Sequence, residues 1–442
     1  MFGSDELRAQ SIQDAISSSG GITYSISGTT VSTTVADGAT PLPTTFTLGT
    51  FSGQSEPYTL ANAISGTFDF TLPTDDAISG ALFDYASSSG PVTLASSADI
   101  NLQQMRAGAA DEVGNAAIRV LGQPLGYSGT TEVGADITLT DTGNITVAGN
   151  GFRGSSGPAL DPAGFRSAAL SGILATSYGK QDSSATTSHP GGSVAVTLSS
   201  ATISMSQSDP TVVTAGISAS SADGTGSNSF GVGGIKPVSV ELDAGTITNS
   251  SGAGAGVIAT ATGARLANSG DSEAFGSTVG VLLDTGSSIS STGQTGVGVL
   301  AMSASYMSGE AKKSQSSQSG DVFVTINDSA SSITTGGSGS VFAAGVLAIS
   351  TGTSMLVDPF STHVISGSGF GDSGEVSVIN AGSVTTTGTL STGLAGLSIG
   401  GAAIATTSVQ ASGVSYLGTT GAYTEGNGGA VTITNTGTVK TV

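Results

Sequence analysis

The chain has no cysteine and no tryptophan, and only 11 of its 442 residues are basic. Without cysteine there is no disulfide framework and no thiolate metal site. Without tryptophan it lacks the largest aromatic platform for stacking on a sugar ring. The 11 basic residues face 31 acidic ones, for a net charge of −20, and the one adjacent basic pair is Lys312-Lys313. Phosphate binding needs clustered Lys and Arg, so nucleic acid is excluded as a partner. No stretch approaches the ~18 apolar residues of a membrane-spanning helix. The opening MFGSDELRAQ has neither the basic segment nor the apolar run of a cleavable signal, so an exported chain would carry its signal elsewhere or in another form. Charge is also scarce: 10% charged against 37% apolar is the reverse of a disordered composition.

What is abundant is glycine, 68 residues of it, set among regularly spaced Val, Ile, Thr and Ser. That mixture predicts short strands joined by tight turns. Residues 4–18 read as a helix, with Ser4 as cap and Leu7, Ile12, Ala15 and Ile16 on one face. It would serve as a terminal cap. ITYSISGTTVSTTV, from Ile22, reads as a hairpin, and GTFDFTLP and GPVTLASS as further strands. A second helix is expected from Leu102 to Leu121, weakened by Gly108 and Gly114. Residues 1–133 are therefore read as an N-terminal cap and β-rich module.

From residue 134 the chain repeats. Paired apolar residues begin at Ile137, Val194, Val238, Val279, Val322, Val376 and Val431, at intervals of 57, 44, 41, 43, 54 and 55 residues. Each pair leads through a turn to a β-branched residue: Ile145, Ile203, Ile247, Ile289, Ile333, Val384 and Val439. In five of the seven, Asp or Asn is followed two residues later by Gly, which suits a sharp corner in left-handed backbone. A second element is interleaved, starting at Gly172, Gly216, Gly256, Gly298, Gly345 and Gly396, and reading Gly-Ile-Leu-Ala or close to it. Two elements per repeat imply units of about 20 residues, the signature of parallel β-helix coils with inward Val and Ile and outward Thr and Ser. Residues 134–442 would then form about 14 coils, roughly 65 Å long at strand spacing.

The stretches GDVFVTINDSASSITTGG, GEVSVINAGSVTTTG with LAGLSIGG, and GAVTITNTGTVKTV resemble the repeats of autotransporter passenger domains of Gram-negative bacteria. The resemblance covers residues 134–442. It implies an all-β fold, a right-handed parallel β-helix, on a secreted chain held at the outer-membrane surface. Passenger domains include adhesins, enzymes and inert stalks. The expected role is structural or adhesive, without catalysis, against a host or neighbouring-cell surface. The alternatives are a self-assembling surface-layer or filament subunit, a homo-oligomer joined through coil ends, and a polysaccharide-degrading enzyme. The last repeat has no second element after it, so its edge is expected to be completed by further chain or by another copy.

Candidate chemistry is sparse. An enzyme of the β-helix kind would need convergent carboxylates, and Asp136, Asp141, Asp161, Asp182, Asp209, Asp271, Glu273, Asp321, Asp328, Asp358, Asp372 and Glu375 are on hand, several at turn positions where Asp is structurally expected. The two histidines, His189 and His363, have no ligand neighbours in sequence. GSGFGDSGE (367–375) has the Gly/Asp composition of calcium-binding repeats, once and without their period, which makes Asp372 and Glu375 the candidate Ca²⁺ ligands. No other cofactor is expected. Tyr306, Tyr416 and Tyr423 follow strand elements and are the candidates for a contact surface.

Overall fold

A computed structural model describes residues 22–27, 30–35, 50–51, 60–71, 81–87, 91–107, 114–122, 134–153, 168–179, 190–207, 209–210, 212–222, 236–267, 273–309, 316–337, 340–352, 356–357, 364–365, 371–400 and 427–442. The expected capping helix of residues 4–18 lies outside them. The fold is all-β, with an 18-stranded and a 9-stranded sheet in which nearly all pairings are parallel, and no helix occurs among the described residues.

Each of the first six repeats supplies two arms and a return strand, and the seventh supplies two arms among the described residues. A first arm, such as Val194–Ser199, and a second arm, such as Thr202–Ser206, lie in the large sheet. A return strand, such as Val213–Ala222, lies in the other. The first arm alternates strictly, with Val194, Val196 and Leu198 buried and the residues between them half-buried. That is the period-two pattern of a strand with one wet face. The ladders hold register from repeat to repeat. Ile145, Ile203, Ile247, Ile289, Ile333, Val384 and Val439 stack as one column. All are buried except the last, Val439, which is 38% exposed on the terminal arm.

Pairing corrects the expected period. Val194 pairs with Ile137 below and Val238 above, a full repeat away on each side. The Gly-Ile-x-Ala element sits across the interior on the return sheet, where Ile217 pairs with Ile173 and Val257. One whole repeat therefore makes one level. The seven first arms span six steps, about 29 Å at ~4.8 Å a step, instead of roughly 65 Å. The sixth return strand also shifts: Val346 pairs with Leu394, so Gly393, not Gly396, stands at the position of Gly345.

Upstream, both sheets continue past residue 134. Val92 pairs with Ile137 and Ile100 with Ile145, while Ile118 of strand Asn115–Leu121 pairs with Ile173. The helix expected over Leu102–Leu121 is absent: Val92–Ala107 is one strand and Asn115–Leu121 another. Ladder partners on either side outweigh a helical preference already weakened by glycine. The expected hairpin forms, with Ser27 opposite Thr30 and Ile22 opposite Val35.

Candidate functional site

Three corners join the strands of a level, and the polar side chains cluster there. Between the first and second arms, the recurring Asp/Asn-x-Gly resolves into two geometries. Asp141 and Asn380 end five-residue arms and turn inward, each fully buried, with Oδ1 accepting the N–H of Gly143 (3.4 Å) and Gly382 (3.1 Å). The glycines here make room: a Cβ at Gly143 or Gly382 would overlap the backbone of a neighbouring level. Asp243 and Asp284 instead end six-residue arms, one place later and facing outward, so that Leu242 and Leu283 fill the inward position. The left-handed residue at these corners is the next one: Ser200 (φ 51°), Ala244 (φ 53°) and Thr285 (φ 55°). None is the Asp, Asn or Gly expected to carry that angle, except that Gly286 (φ 74°) follows Thr285.

At the corner entering the first arm stand Asp136, Asp321 and Asp372, while Asp328 lies between the first and second arms, and all four cap backbone. Asp136 accepts from the Ser193 N–H (2.7 Å) and hydroxyl (2.9 Å), and from Lys236 Nζ at 3.0 Å, two levels on. Partial burial raises its pKa, but the Ser193 and Lys236 donors outweigh that and hold the carboxyl below its ordinary value. Asp321 accepts the Glu375 N–H at 2.8 Å. Asp372 accepts from the Asn427 N–H at 2.7 Å and its side-chain amide at 3.3 Å. Asp328 accepts from the Ser331 hydroxyl (2.6 Å), which lowers its pKa most, and from the Gly286 N–H one level below (3.0 Å). Asp372 and Glu375 are both exposed, and no group of three or more His, Cys, Asp or Glu that could hold a metal occurs among the described residues.

Sequence reading missed a hydroxyl column at the same corner. Ser177, Ser221, Ser303, Ser350 and Ser398 stand five residues after the return-strand glycines, and Ala261 takes the one remaining place. Ser177, Ser303, Ser350 and Ser398 accept the N–H of Gly192, Gly320, Gly374 and Gly429 at 2.7–2.9 Å. The signal was legible as a Gly-x₄-Ser interval, hidden by the many other serines.

Of the contact candidates, Tyr306 falls in return strand Thr295–Gly309, paired with Ala264. Tyr416 and Tyr423 lie outside the described residues, as do His189 and His363. The outer face of the return sheet is also unlike the expected Thr/Ser surface: Ile258, Leu300, Met302, Leu347 and Ile349 form a second buried apolar cluster there. No helix among the described residues is long and apolar enough to cross a membrane. Comparison with family models, curated proteins and solved structures finds no match to this chain.

Proposed function

We propose that the chain winds as a right-handed parallel β-helix and serves as a non-catalytic structural or adhesive element on the outer surface of a bacterium, of the autotransporter-passenger kind. The observation that carries this reading is how the carboxylates are used. Asp136, Asp321, Asp328 and Asp372 each accept a backbone N–H from a neighbouring level, which occupies them as inter-level ties. Catalysis on a polysaccharide would require a pair of carboxyls facing one glycosidic bond from opposite sides. The in-register columns of Ile and Val supply a stiff scaffold, and the −20 charge keeps it soluble.

The test is to coat beads with the 442-residue chain and measure their retention on cells and on layers of the same protein, with sugar release from neutral and acidic polysaccharides assayed alongside. Retention without sugar release is expected. Sugar release that one carboxylate substitution abolishes, with the fold intact, would overturn the reading.

Self-association has one observation in its favour. Strands Val431–Asn435 and Thr438–Thr441 are paired on one side only among the described residues, and Val431 and Ile433 are 45% and 46% exposed. Unpaired edges with apolar side chains template further pairing. Light scattering that stays at the monomer mass across a concentration series removes this alternative.

A further inference from the structure

Asp141 has an environment unlike that of any other carboxylate described above. It is fully buried, and its Oδ2 has no hydrogen-bond partner. Its ladder partners are Ser96 on one side and Leu198 on the other. Further along, the same column holds Leu242, Leu283, Ile326, Asn380 and Asn435. Every other member of the column is neutral. Asn380 makes the same bond to its corner glycine that Asp141 makes, and its amide also donates to Asn435 Oδ1 at 2.7 Å. The position is thus built for an uncharged side chain.

We propose that Asp141 is a pH-sensitive weak point in the stack: a neutral carboxylic acid fills the buried place between Ser96 and Leu198 of the adjoining levels, and ionisation of that acid loosens them. The charged group that faces it is Asp99, on strand Val92–Ala107, and its like charge opposes ionisation further. Val194–Ser199, packed on the other side, carries no titratable residue. The second arm presents Ile145 and Val147 to the interior. Return strand Leu170–Tyr178 of the same level carries no Asp, Glu, His, Lys or Arg, and Arg119 of the preceding return strand Asn115–Leu121 lies between the core residues Ile118 and Val120, on the opposite face of its strand.

Burial is the main cause of a shift that raises the Asp141 carboxyl from 3.8 to about 7, against smaller opposing contributions from the Ser96 hydroxyl and the Gly143 N–H. In the unfolded chain the group ionises near the ordinary Asp value. A folded pKa above the unfolded one means that stability is complete below about 4, falls as pH rises, and levels off above about 7.

The experiment compares urea unfolding of the wild-type chain and D141N at about pH 5.5 and about pH 8.5. The wild-type folding constant should fall by about 30-fold more than that of D141N, the factor for one carboxyl titrating near 7 over that interval. Both proteins keep His189 and His363, so histidine titration cancels in the comparison. Equal pH dependence in the two proteins would overturn the proposal. Infrared spectra of the wild-type chain give a second readout that does not rely on a variant. A protonated-carboxyl band present at about pH 6 and gone by about pH 8.5 is expected, and its absence at about pH 6 would also overturn the proposal.

Discussion

On the return strands, the close approach of neighbouring levels depends on glycine. Gly172, Gly216, Gly256, Gly298, Gly345 and Gly393 occupy matching places on the return strands, and a Cβ on any of them would overlap the second-arm Ile or Val of a neighbouring level. At Gly256 the obstructing side chain is Ile289, which is 1% exposed. The glycine is required for space. It also shifts the strand's phase: Thr214 reaches the interior Asn249, yet both Gly216 and Ile217 face the core, so the alternation misses a beat at the glycine. Gly256→Ala should therefore destabilise the fold by about 1–3 kcal/mol, the usual cost of overpacking. Combined with Ile289→Ala it should cost less than the two single changes added together, because the shortened side chain vacates the space. Urea unfolding of the four proteins gives this coupling. Strict additivity would mean that the glycine is needed for some other reason.

At the scale of the element, the two corner geometries explain why one spelling, Asp/Asn-x-Gly, recurs with different letters around it. Five-residue arms send the Asx side chain inward and need a glycine against the neighbouring level. Six-residue arms send Asp outward and place a non-glycine residue in left-handed backbone, at a cost of about 1–2 kcal/mol. Ala244→Gly relieves that cost at φ 53° and should raise stability by about 1 kcal/mol. Ala381→Gly, in the five-residue corner between Asn380 and Gly382, should give no gain and a small loss from added freedom in the unfolded chain. Thermal unfolding of both variants decides the matter, and a gain for Ala381→Gly would show that the two corners do not differ. Much of this was legible in sequence, since the paired Val residues, the corner and the column from Ile145 to Val384 all fall where period-two reasoning places them. The difference of one residue between Asp141 and Asp243 was not. It depends on whether the arm has five or six residues, and so on which side of the sheet the side chain meets.

For the whole molecule, spacing along the chain could reveal two elements per repeat but not whether they lie on successive levels or face each other on one. Only pairing distinguishes the two. A Gly-Ile-Leu-Ala strand looks the same stacked on Val-x-Val or packed across from it. The apolar outer face of the return sheet gave the clue in retrospect: Leu174, Ile258, Leu300 and Leu347 made those strands apolar on both faces, unlike the arms. The candidate site was less legible still, because carboxylates serving as backbone caps are spelled the same way as carboxylates poised for catalysis or metal binding. An outward column of Thr140, Thr197, Glu241, Leu282, Thr325, Ile379 and Thr434, each paired with the next, runs through all seven levels. The chain has no cysteine, so Thr140→Cys and Thr434→Cys place two spin labels without background. Double electron–electron resonance between them should give a distance near 29 Å, six steps of ~4.8 Å. A distance near twice that, about 58 Å, would mean two levels per repeat and would contradict the account.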